Sequence, residues 1–273
     1  MLKEKIEHII STEESYKIQI LRGLAIIAVV YIHCLPPDFS HQVCVRPFLN
    51  FSVGLFLFLS GFLSYKVFNR KKRILKVIVP YIIWTIFYMT IRFFYSGWEF
   101  EKFILQLIKA FFTASSAAMM YYILVYIQVT LLLSLIDRIA FSKFKFLPFL
   151  LVLLEIVLVR LAPILGWYDM GSLTKYLSLP LSVVPWLGYF YLGYLLRNNQ
   201  LPVKIKTDKF LFYLIVAIII QFFEGWYYYS KNIVNCGTQL KLSSILTGLI
   251  FCCITYKGTS INIFLTEIPI VSV

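Results

Sequence analysis

The sequence predicts an all-α fold, a polytopic transmembrane helix bundle of about eight spans. Three observations carry this expectation. Of 273 residues, 60% are hydrophobic and 14% charged, with a mean hydropathy of +0.81, whereas soluble domains are only about half apolar. The apolar residues gather into runs, each near the ~20 residues that cross a bilayer. The basic residues, which bring the net charge to +13, cluster in alternate loops. Positive-inside topology explains that alternation more simply than a nucleic-acid surface does.

Residues 1–16 mix Lys and Glu with Ile6, Ile9 and Ile10 and read as an amphipathic segment on the inner membrane surface. The transmembrane domain follows over 17–256, with spans at 17–35, 47–68, 74–95, 117–136, 146–166, 176–196, 210–229 and 242–256, and residues 257–273 form a tail. Pro36-Pro37 stops the first span, because neither proline supplies a backbone donor. Lys3, Lys5 and Lys17 before that span imitate a signal peptide, but Arg22 and the lack of a small-residue cleavage site favour a retained anchor.

Arg70, Lys71, Lys72, Arg73 and Lys76 follow span two; Arg138, Lys143 and Lys145 follow span four; Arg197, Lys204, Lys206 and Lys209 follow span six. These loops and the N-terminus are therefore expected in the cytoplasm, as in a multi-pass protein of the cell membrane. The opposite loops are poor in cations: Arg46 stands alone in the first, and Lys102 is offset by Glu99 and Glu101 in the second. Region 99–113 is amphipathic and reads as a helix along the outer interface. With no repeat and no separate soluble domain, chemistry has to come from helices and short loops.

Ionisable groups at membrane depth are expensive, which draws attention to Arg22 and His33 in the first span. Eleven helical steps bring His33 to within roughly 20° of Arg22 and about 16 Å further along the axis. Arg22 can instead snorkel to the inner surface, and His33 can simply bond a neighbouring helix. Arg70 and Arg73 form an ordinary cytoplasmic flank by one reading. By the other, their spacing sets two guanidinium forks on one side of a helix start, suited to phosphate.

Gly54, Ser60, Gly61 and Ser64 permit close helix packing or wall a narrow tunnel. Glu155, Arg160 and Gln221 are further polar groups at depth; Glu155 and Arg160 are about 140° apart around a helix and do not pair within it. Glu224 is a candidate to orient His33 or bind an acceptor hydroxyl. Trp167, Tyr168 and Trp226 to Tyr229 read as interfacial belts, with sugar stacking as the alternative. Cys34 and Cys44 can pair in an oxidising compartment, whereas Cys252-Cys253 lacks metal-ligand spacing and no metal site is expected.

The run LRGLAIIAVVYIH at 21–33, with Arg22 and His33 in an R-x10-H arrangement, resembles the opening of the acyltransferase 3 family of integral membrane O-acyltransferases. VGLFLFLSGFL at 53–63, the R-x-x-R at 70–73 leading into KVIVPYIIW, YYILVYIQ at 121–128 and WLGYFYLGYLL at 186–196 are similar to the family in the same order.

The resemblance implies transfer of an acyl group, usually acetyl, from cytoplasmic acyl-CoA to a hydroxyl of an extracytoplasmic glycan or lipid-linked sugar. It also implies a catalytic pair at Arg22 and His33, and donor binding at Arg70 and Arg73. Family members carry a further terminal pair of spans with an S-x-G-x-Y-L-x-H-like stretch, where this sequence has KGTSINIFLTEIPIVSV. A shortened domain is therefore expected, active or an inactive remnant. A transporter or polysaccharide-export component is the competing expectation, and it would more often show two corresponding halves.

Overall fold

The computed structural model describes residues 12–64, 70–97, 99–161, 183–198, 200–201, 207–233 and 236–257, and the secondary-structure elements among them are all helical. Helix α1 spans Thr12–Cys34, α2 Phe51–Phe62, α3 Arg70–Ser96, α4 Phe100–Thr113, α5 Tyr121–Leu131 and α6 Leu133–Ala140. Helix α7 spans Leu147–Glu155, α8 Val184–Arg197, α9 Thr207–Ser230 and α10 Leu242–Lys257.

Among the described residues, four stretches are long and apolar enough to cross a membrane: Glu14–Cys34, Ser40–Phe62, Lys71–Ser96 and Lys209–Ser230. A fifth results if Phe100–Thr113 and Ala118–Leu131, bent by 41°, count as one. Leu147–Leu158 and Leu242–Tyr256 are shorter apolar helices. The expected amphipathic segment lies mostly outside the described residues, as do 162–182 with Trp167 and Tyr168, and the tail beyond Lys257.

Helix α1 stops at Cys34, just before Pro36-Pro37. The second apolar stretch starts earlier than its hydropathy predicts: a π-helical turn at Ser40–Val45 and a 3₁₀ turn at Arg46–Phe48 lead directly into α2. The early part was disguised by Gln42 and Arg46, polar residues that hydropathy assigns to a loop. In the fold Arg46 Nη1 donates to Gln42 Oε1 at 2.7 Å, and Gln42 Nε2 donates to the Pro36 carbonyl at 2.9 Å. Cys34 and Cys44 are both free thiols. Helix α4 ends at Ala114 in the left-handed region (φ 52°), which turns the chain toward α5.

Helices α2 and α8 form the centre. Nine of the twelve residues of α2 are buried, as is almost all of α8, and α8 packs on α2 and α7 while α10 bridges α2 and α9. Around them, α1, α3 and α9 turn apolar side chains such as Ile27, Ile83 and Phe223 outward. That is the pattern of helices solvated by lipid, where the hydrophobic effect gives no reason to hide apolar surface.

One end of the bundle is tied by polar contacts. Arg197 at the end of α8 pairs with Glu14 at the start of α1 (2.9 Å) and lies over the Phe62 ring at the end of α2 (5.0 Å). Tyr191 Oη donates to the Lys145 carbonyl at 2.6 Å, and Tyr194 Oη bonds Asp137. The start of α1 and the loops after the second, fourth and sixth predicted spans thus share one face of the bundle.

Candidate functional site

Near the opposite end of α1 lies a cavity of about 510 Å³. Val29, Ile32 and His33 of α1 form one wall, Val53 and Phe56 of α2 another, and Tyr121 and Tyr122 of α5 a third. Trp186 of α8, Arg46, Ala118 and Met119 before α5, and Thr238 to Leu240 of the loop before α10 complete it. Aromatic packing shapes the walls: the Phe56 and Tyr122 rings lie 5.8 Å apart, and those of Tyr121 and Trp186 5.7 Å apart. The 3.6-residue period of α1 puts Val29, Ile32 and His33 on the side that faces the cavity.

His33 is therefore exposed to a mostly apolar chamber with a few polar groups, the usual character of a small-molecule site. Arg22 lies on the same continuous helix, about three turns nearer its start. R-x10-H thus runs from the cavity wall back into the first half of α1.

The other candidate cations are at the far face. Arg73, in the first turn of α3, donates from Nη1 to Ser64 Oγ at 2.8 Å, and Ser64 in turn bonds the Ser60 carbonyl at 2.6 Å. Arg70 is the first residue of α3; its side chain lies outside the described residues. Two arginines three positions apart at a helix start present neighbouring forks. One Nη of Arg73 is engaged by Ser64, and a guanidinium has five N–H donors to share.

Glu224 is not among the residues that line the His33 cavity. Its Oε1 accepts from Tyr228 Oη, four positions further along α9, at 2.8 Å, and its Oε2 reaches the start of α10, accepting from the Ser243 backbone N–H at 3.0 Å and from the Ser243 hydroxyl. A carboxylate there also suits the positive end of the helix dipole. Among the belt residues, Trp226, Tyr227 and Tyr229 stay exposed while Tyr228 is buried.

Beside the cavity runs a buried polar network that ties the Arg46–Phe48 turn to α9 and α10. Asn50, 1% exposed, donates to Gln221 Oε1 (2.6 Å) and the Gly237 carbonyl (3.1 Å); Gln221 donates to the Pro47 carbonyl and Thr247 Oγ1, both at 3.3 Å. Lys241, 1% exposed, reaches the Gln221 carbonyl at 3.4 Å. Burial lowers its pKa to about 8, against the pull of the Glu224 carboxylate. In the apolar runs Gln221 stood out as a polar residue; Arg46, Trp186, Gln239 and Lys241 did not stand out as site residues. A lone arginine in a cation-poor loop, directly before Pro47, was the available signal.

Residues 15–268 match the model of a family described as an acyltransferase domain, acyltransferase 3. The chain belongs to the acyltransferase 3 family. No curated protein and no solved structure matches it. The match covers every described helix beyond the first turns of α1, including the cavity and the α3 start. The matched region of this membrane acyltransferase therefore includes Arg22, His33, Arg70 and Arg73.

Proposed function

We propose that this acyltransferase moves an acyl group, acetyl in the simplest case, from cytoplasmic acyl-CoA to a hydroxyl of an extracytoplasmic glycan. The observation that supports this is the arrangement along α1: a chamber containing His33 near one end, the Arg73 guanidinium at the opposite face of the bundle, and Arg22 between. In this reading Arg70 and Arg73 hold the CoA phosphates, because guanidinium forks match phosphate oxygens in pairs. The pantetheine arm follows α1 past Arg22 and delivers the thioester to His33.

His33 then works in one of two ways open to an imidazole. As a general base it accepts the acceptor hydroxyl's proton while the oxygen attacks the thioester carbonyl; the tetrahedral species collapses, and the CoA thiolate leaves and is protonated. As a carrier its nitrogen attacks the thioester carbonyl, the C–S bond breaks and CoA leaves as a thiolate that takes up the proton the ring gives off; the acceptor hydroxyl then attacks the acyl-imidazole, the C–N bond breaks and the hydroxyl proton returns to the ring. Arg22 acts on the donor side, holding a phosphate or stabilising charge on the thioester oxygen. Glu224 serves indirectly, by fixing the start of α10 next to the loop that supplies Thr238 and Gln239.

Membranes containing the protein are supplied with labelled acetyl-CoA and label in glycan is followed. Transfer by the wild type and its loss in His33→Ala and Arg22→Ala is the expected result. Unchanged transfer in both variants overturns the assignment.

A further inference from the structure

Arg46 is a guanidinium in the wrong company. It lines the His33 cavity, yet Nη1 meets only the neutral Gln42 Oε1, Nε is buried without a partner, and no carboxylate lies within 4 Å of it among the described residues. An arginine stays charged in any protein environment, and Arg46 is half-buried, with desolvation to offset and no counter-ion to offset it. The nearby charges do not compensate: Lys241 is a buried cation close enough to feel Arg46, and Glu224 already serves Tyr228 and Ser243.

The position of Arg46 is also built. Gly237 lets the chain approach it: a Cβ there would lie 2.5 Å from the Gln42 carbonyl oxygen and 2.7 Å from Arg46 Cδ. Two other cavity residues carry an unpartnered buried polar atom, Trp186 Nε1 and Gln239 Oε1. Buried polar groups are nearly always paired, so a ligand with several hydrogen-bonding groups is the natural occupant.

The donor does not provide the missing charge at this place. In an acyl-CoA the thioester is separated from the nearest phosphate by the neutral pantetheine arm. With the thioester at His33, the phosphates lie far from another residue lining the same cavity. The anion must come with the other substrate.

We infer that Arg46 binds an anionic group on the acceptor, so that the acceptor is a sugar bearing a carboxylate or a phosphate rather than a neutral glycan. This rests on the acyltransferase reading above. Trp186 and Gln239 then meet hydroxyls of the same sugar, and Arg46 acts in substrate selection.

The test uses the full chain in lipid nanodiscs with labelled acetyl-CoA and three acceptors of equal length: a glucose oligomer, a glucuronate oligomer and a phosphorylated glucose oligomer. The wild type is expected to favour a charged acceptor over the neutral one by about 10-fold or more in kcat/KM, the scale of one charge-assisted hydrogen bond. Arg46→Gln is expected to erase that ratio and Arg46→Lys to restore part of it. Which charged oligomer wins tells carboxylate from phosphate.

An equal preference for charged and neutral acceptors overturns the inference. So does a ratio left intact in Arg46→Gln while kcat falls on every acceptor, which would put Arg46 at the reacting atoms. Calorimetric binding of the oligomers without donor separates this from the acyltransferase reading. Wild-type transfer no greater than that of His33→Ala defeats the reaction. Charged-oligomer binding that Arg46→Gln does not weaken defeats the Arg46 assignment, whatever the transfer assay shows.

Discussion

Gly61 of α2 and Gly193 of α8 each abut the backbone of the other's helix. A Cβ on Gly61 would lie 1.9 Å from the Phe190 carbonyl oxygen, and one on Gly193 2.1 Å from that of Phe58. At those distances no side-chain adjustment relieves the clash, because the obstructing atoms are backbone. The crossing fixes the spacing of the two central helices and so the positions of Val53, Phe56 and Trp186 around the cavity.

Gly61→Leu and Gly193→Leu are each expected to lower the thermal midpoint of the detergent-solubilised protein by the equivalent of roughly 3 kcal/mol, the upper range for overpacking. Gly23→Ala is the control. Nothing lies within 4 Å of a Cβ there, and inside α1 the change is expected to stabilise by about 0.5–1 kcal/mol.

Replacing His33 removes the one imidazole in the chamber walls among the described residues. His33→Gln keeps a hydrogen-bonding side chain but cannot titrate near neutrality. Its kcat for acetyl transfer is expected to fall by roughly 10²–10⁴-fold, the usual contribution of general acid–base catalysis, with folded yield unchanged by size-exclusion chromatography.

If Arg73 holds a donor phosphate as proposed, Arg73→Ala removes that contact at the far face. Titration with acetyl-CoA is expected to show a KM raised by about 10-fold or more, while the KM for the acceptor stays put. Ser64→Ala, which loosens the Arg73 guanidinium without deleting it, is expected to shift the donor KM in the same direction and by less.

Glu224 gives a direct contrast between two roles. With its carboxylate at the start of α10, Glu224→Gln is expected to cost about 1–2 kcal/mol in thermal stability, the scale of a lost helix cap. A large rise in acceptor KM with no change in stability would restore it as a substrate ligand.

Lys241 makes stability depend on pH. Its pKa is lowered from 10.5 to about 8, first by burial and further by Arg46, with Glu224 and Cys236 opposing. Below pH 8 both states hold the proton and the folded state bears the full cost of the buried charge. Between pH 8 and 10.5 the unfolded chain still holds a proton that the folded one has released, so stability rises with pH. The shift corresponds to about 3 kcal/mol. The difference in unfolding midpoint between Lys241→Met and the wild type is expected to be largest at pH 7, in favour of the variant, and to shrink by pH 10.

Hydropathy placed α1, α3 and α9 within a few residues, since each has a long apolar face that has to meet lipid, and it placed α10 as closely although that shorter helix is packed between α2 and α9. It placed the start of the second stretch late, because Gln42 and Arg46 look like loop residues until their partners are known. Glu224 illustrates the same limit. A carboxylate near the end of a span invites a substrate, and only the approach of Ser243 from the start of α10 reveals what it holds.

From the sequence alone came the membrane class, the alternation of basic loops, the placement of Arg22 and His33 on one helix, and the family resemblance. All of these depend on composition, local spacing or short motifs. The tertiary structure decided which distant residues meet: Asn50 with Gln221, 171 positions away, and His33 with Arg46, Trp186 and Gln239 around one chamber. Apolar runs report the partition of each helix into lipid. They carry no record of which polar side chains find one another inside the bundle, because that pairing depends on how the helices pack, and at the central crossing on two glycines small enough to let backbone touch backbone.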